Sequence, residues 1–194
     1  MIAIQNETLA SLFEQFNINP DQASAELLKL ADADSRYLKD LKINVQNALN
    51  YSNLTKKESS LLALSVAYNE KNTVLIPVFE QMATDNGATA EEIAETVAAV
   101  SMMNVNNVFY RFRHYTNKDY YNQTPAGIKM SVMMNPVLGK EFFELLSLAI
   151  SAVNGCEMCV NAHEDSVLKH GSTQARVYDA VRLSAVIKGF SAII

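Results

Sequence analysis

A chain of 194 residues with 49% hydrophobic residues is long enough to bury one substantial core. Only six Gly and four Pro interrupt it, which excludes a collagenous or low-complexity class and suits a helix-rich globular one. Sixteen Lys and Arg against twenty-one Asp and Glu give a formal charge of −5, and no basic run interleaved with aromatics offers a nucleic-acid surface.

The first residues, MIAIQNETLASLFEQF, carry neither a basic start nor a continuous apolar stretch, so no secretory leader is expected. No apolar run approaches the roughly 18 residues that a membrane span requires. A cytoplasmic protein is therefore expected. In that reducing setting, two cysteines point to catalysis or metal binding rather than to a structural staple.

Along the chain the apolar period is helical. Leu9, Leu12, Phe13 and Phe16 share one face, and Asn19-Pro20 restarts the chain with Pro in a first turn. Leu38, Leu41, Val45 and Leu49 form a second stripe. Thr55 with Glu58 predicts a capping box that opens a helix through about Tyr68. Gly87 closes the next helix, and Thr89 with Glu92 predicts a second box just beyond it. No convincing alternating strand is present. Residues Tyr115–Gly139, with TNKDYYNQTPAG and NPVLG, read as a linker between two helical halves. The expectation is one all-α domain: an N-terminal helical extension over 1–37, a first unit over 55–114 and a second over 140–194.

The two units are related by an offset of 84 residues (171 − 87), which places Gly87 on Gly171. The same offset places Leu61, Leu62 and Leu64 on Leu145, Leu146 and Leu148. It also places Glu80 on Glu164, Thr89 on Thr173 and Val97 on Val181. Identity is weak, but the shared order of helix, helix, Gly stop, Thr cap and helix predicts a duplicated unit. Opposite Glu144, Cys156, Cys159 and His163 the first unit has Ser60, Asn72, Leu75 and Phe79. Chemistry is therefore expected in the second unit, the first being an inactive copy.

The segment NGCEMCVNAHEDSVLKHG, from Asn154 to Gly171, holds both cysteines and two of the three histidines. Asn154-Gly155 is a turn dipeptide and Gly171 a helix stop, leaving residues 156–170 for about four helical turns. Cys156 then lies in the first turn, where free backbone N–H groups and the helix dipole favour a thiolate. Residues three apart on a helix have Cα atoms roughly 5 Å apart, inside the disulfide range of about 4.4–6.8 Å. His163, four residues after Cys159, lies over the same face and can take its proton. Cys159 is thus the better activated thiol, and Cys156 the one to resolve an intermediate and meet an outside thiol. Two other readings stay open. Cys156, Cys159, His163 and Glu144 could supply four metal ligands, although they are crowded for a zinc site. The cysteines could also be two small core residues.

Lys140, Glu144, Ser147 and Ser151 form a polar stripe at helical spacing, which is expected to be a solvated face. If that helix instead packs on the cysteine helix as a hairpin, Glu144 can orient His163 or relay its proton. His170, in the last turn, suits the helix dipole without a further role. His114 has no visible partner and is expected on the surface.

Glu144, eleven intervening residues, Cys156-x-x-Cys159 and His163 after three more resemble the active-site pattern of the AhpD alkylhydroperoxidases. These belong to the carboxymuconolactone decarboxylase-like superfamily. FELLSLAISAVNGCEMCVNAHE, NNVFYR (Asn106–Arg111) and MNP (Met134–Pro136) are also similar to family sequence, and the similarity runs from about Leu38 to the C-terminus. The resemblance implies an all-α fold of two similar halves, assembled as trimers or larger rings. It implies that Cys159 attacks a hydroperoxide O–O bond and becomes a sulfenic acid, which Cys156 resolves to a disulfide. His163 and Glu144 would form the proton relay. It further implies a dihydrolipoyl group as external reductant, carried by a lipoyl-bearing acyltransferase and recharged by dihydrolipoamide dehydrogenase. An AhpC-type peroxiredoxin is an implied further partner. No tightly bound cofactor or metal is implied.

The chain departs from the pattern at Met158, where the family often has a second histidine. A thioether cannot shuttle protons, so slower peroxide turnover is expected while disulfide exchange survives. The other readings are a non-redox decarboxylase-like enzyme of the same superfamily, against which the cysteine pair speaks, and a zinc-stabilised or redox-sensing interaction module.

Overall fold

The computed structural model describes residues 4–194, and every regular element among them is helical. Of the expected N-terminal extension, residues 1–3 lie outside the described part. The remainder forms α1 (Glu7–Gln15), a 3-10 turn (Pro20–Gln22), α2 (Ala25–Asp32) and the start of α3 (Arg36–Ala48). The Asn6 side chain caps α1 by accepting from the Thr8 and Leu9 amides. The expected face of Leu9, Leu12, Phe13 and Phe16 is buried, as is the α3 stripe of Leu38, Leu41, Val45 and Leu49. Phe16 meets Phe79 edge-on and lies beside Phe190, each at 6.3 Å between centroids. Ser24 also donates to the Ile193 carbonyl. The segment is therefore part of the main core and tied to the C-terminal end.

The remaining elements are α4 (Lys56–Asn69), α5 (Leu75–Asp85), α6 (Ala90–Thr116), α7 (Asp119–Gln123), a 3-10 turn (Ser131–Met134), α8 (Lys140–Val153), α9 (Glu157–Lys169) and α10 (Gln174–Ser191). Both expected capping boxes form: Thr55 with Glu58 opens α4, and Thr89 with Glu92 opens α6. Gly87 sits at φ +85°, its amide donating to the Thr84 carbonyl and that of Ala88 to Ala83, the Schellman arrangement that stops α5. The stretch expected as a linker is mostly irregular, holding only the end of α6, the short α7 and one 3-10 turn. Among the described residues no helix is long and apolar enough to cross a membrane.

α4 and α8 pack on each other at the centre, with α5 folded back on α4 and α9 folded back on α8. α6 lies against α4, α8 and α9, and α10 against α3, α4 and α8. This enclosure corrects the expectation of a solvated stripe on α8. Residues 142–151 are all buried, including Glu144, Ser147 and Ser151, and only Lys140 keeps contact with solvent. A helix covered on every side must bury its polar residues as well.

The offset of 84 residues recurs in these elements. Moving α4, residues 56–69, by 84 gives 140–153, the span of α8, and α6 and α10 begin at 90 and 174. Lys57–Glu92 and Glu141–Arg176 are ion pairs of 2.7 and 2.9 Å at corresponding positions with the signs exchanged. Two buried acids also correspond. Glu95 of α6 accepts from the Val137 and Leu138 amides at 2.8 and 2.7 Å, just before α8. Asp179 of α10 accepts from the Asn53 side chain at 2.7 Å, just before α4. Each unit thus clamps the segment leading into the other unit's central helix. Both acids are 84 apart (179 − 95), a match the sequence reading did not pick out.

Glu95, itself buried, holds two backbone amides of the segment that leads into α8. Glu95→Ala is expected to destabilise the fold by about 3 kcal/mol in denaturant titration, within the range for removing a partner from buried, charge-assisted bonds. Glu95→Gln, which keeps one acceptor, should recover part of that loss.

Candidate active site

α8 ends at Asn154, and the chain reverses through Gly155 at φ +70°. The Gly155 amide donates to the Ala152 carbonyl and the Cys156 amide to Ser151 at 3.0 Å, a second Schellman turn. Position 155 takes a positive φ, which glycine adopts without strain; the corresponding position of the first unit, Lys71, takes φ +54°. The turn delivers Cys156 as the N-cap of α9, with extended backbone and no side-chain cap bond. At the corresponding place Asn72 accepts from the Val74 and Leu75 amides at 3.1 and 2.8 Å. One unit thus spends this position on a cap. The other leaves its first-turn amides without a side-chain acceptor, where they can stabilise a thiolate.

Cys156 and Cys159 are joined as a disulfide with Cα atoms 5.3 Å apart. The i, i+3 spacing on one helix turn allows that bond without breaking the helix. Cys156 is fully enclosed and Cys159 is 6% exposed. The sequence reading gave Cys156 the meeting with an outside thiol; in this oxidised form Cys159 is the member of the pair with any surface. Met158, between the two cysteines in the chain, is 38% exposed.

His163 is buried on α9 four residues beyond Cys159. Its Nδ1 lies 2.6 Å from Glu144 Oε2, and Lys140 Nζ lies 2.9 Å from Oε1 of the same carboxylate. Lys140 also donates to the Met133 carbonyl at 2.7 Å. Burial alone would raise the Glu144 pKa, but the bonds from His163 and Lys140 outweigh it and hold the carboxyl down at about 2. An ionised carboxylate can only accept, so the neutral imidazole carries its proton on Nδ1 and leaves Nε2 as a base. The hairpin alternative for Glu144 is the one the fold adopts. The arrangement is thiol pair, imidazole, carboxylate and lysine, running from the α9 start into the α8 interior.

The other histidines lie apart from this group. His170 caps the end of α9, its Nδ1 2.7 Å from the Ser166 carbonyl. His114 is half-exposed, but it does have a partner: Nε2 lies 3.5 Å from the Glu157 carboxylate, because α6 packs across the start of α9. That corrects the expectation of an unpaired residue, since a contact between distant segments leaves no mark in local sequence. Among the described residues no group of three or more His, Cys, Asp or Glu is placed to hold a metal ion. Residues that sequence reasoning missed lie on α6. Asn107 donates to Ser151 Oγ at 2.9 Å and accepts from Asn154 at 3.0 Å, and Arg111 donates to the Asn154 carbonyl at 2.7 Å. They lie within NNVFYR, noticed only as family-like sequence.

The carboxymuconolactone decarboxylase family pattern matches residues 121–194. An alkyl hydroperoxide reductase AhpD from Coxiella burnetii is 36% identical over 159 residues, covering 80% of this chain and 89% of the relative. The AhpD from Beijerinckia indica is 36% identical over 159 residues, covering 82% and 88%. That from Rhizorhabdus wittichii is 37% identical over 163 residues, covering 84% and 93%.

Between pH 4.5, the ordinary value, and about 2, the unfolded Glu144 carboxyl takes a proton while the folded one resists it. Glu144 therefore contributes stability above that window, and the contribution is lost as pH falls through it. Denaturant titrations are expected to show wild-type stability falling more steeply across this window than that of Glu144→Gln.

Proposed function

The chain belongs to the AhpD alkyl hydroperoxide reductases of the carboxymuconolactone decarboxylase family, oxidoreductases of peroxidase type, and we propose that it reduces organic hydroperoxides through Cys156 and Cys159. The observation that carries this reading is the disulfide-competent pair one helix turn from a buried His163–Glu144 couple.

In the reduced protein His163 Nε2 takes the Cys159 proton. The thiolate then attacks the distal oxygen of the hydroperoxide, breaking the O–O bond. Cys159 becomes a sulfenic acid, and the departing alkoxide takes the proton from His163 and leaves as an alcohol. Glu144 keeps Nδ1–H in place and balances the imidazolium that forms between the two transfers. The Cys156 thiolate, its proton given up to solvent, next attacks the sulfenic sulfur. The disulfide forms as hydroxide leaves and is protonated to water. An external dithiol, for which a dihydrolipoyl group is the expected carrier, reduces the disulfide by two exchanges and becomes a disulfide itself. Because Cys156 is enclosed in the oxidised form, the outside thiol attacks Cys159 first and releases the Cys156 thiolate.

The expected partners are a lipoyl-bearing acyltransferase, dihydrolipoamide dehydrogenase and an AhpC-type peroxiredoxin, in antioxidant defence in the cytoplasm. Self-assembly, expected as a trimer or a multiple of it, has an apolar stripe available on α6, where Val105, Val108 and Phe112 are exposed. Met158 favours a weighting within this reading. With a thioether at position 158, the relay runs through His163, Glu144 and water alone, and dithiol exchange is the stronger of the two activities.

Hydroperoxide consumption driven by dihydrolipoamide tests the proposal. Cys159→Ser is expected to abolish turnover, and Cys156→Ser to stop at a sulfenic acid or an intermolecular disulfide. Met158→His is expected to raise the rate several-fold. Full activity in Cys159→Ser would overturn the mechanism.

A further inference from the structure

The turn that presents Cys156 is held from outside by a set of bonds in which neither sulfur takes part. Arg111 on α6 donates to the Asn154 carbonyl at 2.7 Å. Asn154 donates to Asn107 Oδ1 at 3.0 Å and accepts from Asn69 of α4 at 2.9 Å. Asn107, itself buried, donates to Ser151 Oγ at 2.9 Å, and the Ser151 carbonyl receives the Cys156 amide at 3.0 Å. Residues 151–156 are thus tied to two other helices at their side chains and their backbone. None of these bonds requires the disulfide to be closed.

We propose that Arg111, with Asn107, is a positioning residue that sets the thiol–disulfide equilibrium of the pair by clamping the turn that carries Cys156. The inference rests on the reading that the two cysteines interconvert between dithiol and disulfide. Closing the pair against glutathione disulfide oxidises two protein thiols and reduces one glutathione disulfide to two glutathiones. The equilibrium constant is then an effective concentration of one protein thiol at the other. The disulfide holds Cys156 in place whatever surrounds it. In the dithiol form only the helix and the clamp keep Cys156 beside Cys159. Loosening the clamp therefore spreads the reduced state over more conformations and leaves the oxidised state nearly as it was. The result is a smaller constant for disulfide formation and a less negative reduction potential.

The direction separates this role from a simple charge effect. A guanidinium that acted by stabilising a thiolate would favour the reduced form, and its loss would raise the constant for disulfide formation. A clamp predicts the opposite sign.

The full chain is equilibrated in glutathione buffers of graded ratio, and the oxidised fraction is read by thiol trapping. Arg111→Met keeps the length of the stem and removes the donor. It is expected to lower the equilibrium constant about tenfold, a shift of about 30 mV. Arg111→Lys, which restores one donor, should recover most of it. Glu95→Gln disturbs the far end of the same helix and should leave the constant unchanged. An unchanged or raised constant in Arg111→Met overturns the inference, as does an equal fall in Glu95→Gln. If Arg111→Met does not fold, Arg111→Gln gives the same comparison with a shortened donor. A wild-type pair that never interconverts with glutathione or dihydrolipoamide would instead overturn the redox reading on which the inference rests.

Discussion

Everything at the site depends on one buried hydrogen bond, that between His163 and the Glu144 carboxylate. A carboxylate in the centre of an apolar helix is costly unless its oxygens are matched. Here one oxygen receives Lys140 and the other His163, which overcomes the effect of burial and keeps the group ionised. That charge decides the tautomer of His163 and its orientation along α9. It thereby decides which nitrogen is free on the side of the helix that carries Cys159. The pair can form only because Gly155 reverses the chain tightly enough to lay α9 on α8.

The order α4, α5, α6 recurs in α8, α9, α10 at an offset of 84 residues, and corresponding positions can be compared. Where the second unit has Cys156, the first has Asn72, which caps its helix. Where the second has His163, the first has Phe79, which packs against Phe16. Cap and packing are what a helix hairpin needs to be stable. The second unit gives up both and is supported at its turn by Arg111 and Asn107 of α6. The site therefore depends on contacts across the molecule as well as on its own hairpin.

That dependence explains what could be read in the sequence. Capping boxes, the Gly87 and Gly171 stops and the spacing of Cys156, Cys159 and His163 are local patterns, and local patterns survive in a linear string. The dithiol, its helix and the repeat offset were legible for that reason. The burial of Glu144 was not, because Lys140, Glu144, Ser147 and Ser151 have the composition of a solvated face. Only the packing of four other helices around α8 shows otherwise. The contact of His114 with Glu157 and the clamp from Arg111 likewise join segments more than forty residues apart. The paired acids Glu95 and Asp179 were within reach, since the offset that relates the two units relates them too.

The central claim is that the Glu144–His163 couple serves Cys159. It is tested most directly in a single turnover, with pre-reduced protein mixed with one equivalent of an organic hydroperoxide and sulfenic acid formation followed in time. A Cys156→Ser background keeps the sulfenic acid from resolving. In that background, adding His163→Ala should slow the first step by about 10²- to 10⁴-fold, the usual worth of a positioned proton-transfer group. Glu144→Gln should slow it by a smaller factor. An unchanged rate in the His163→Ala protein would contradict the account.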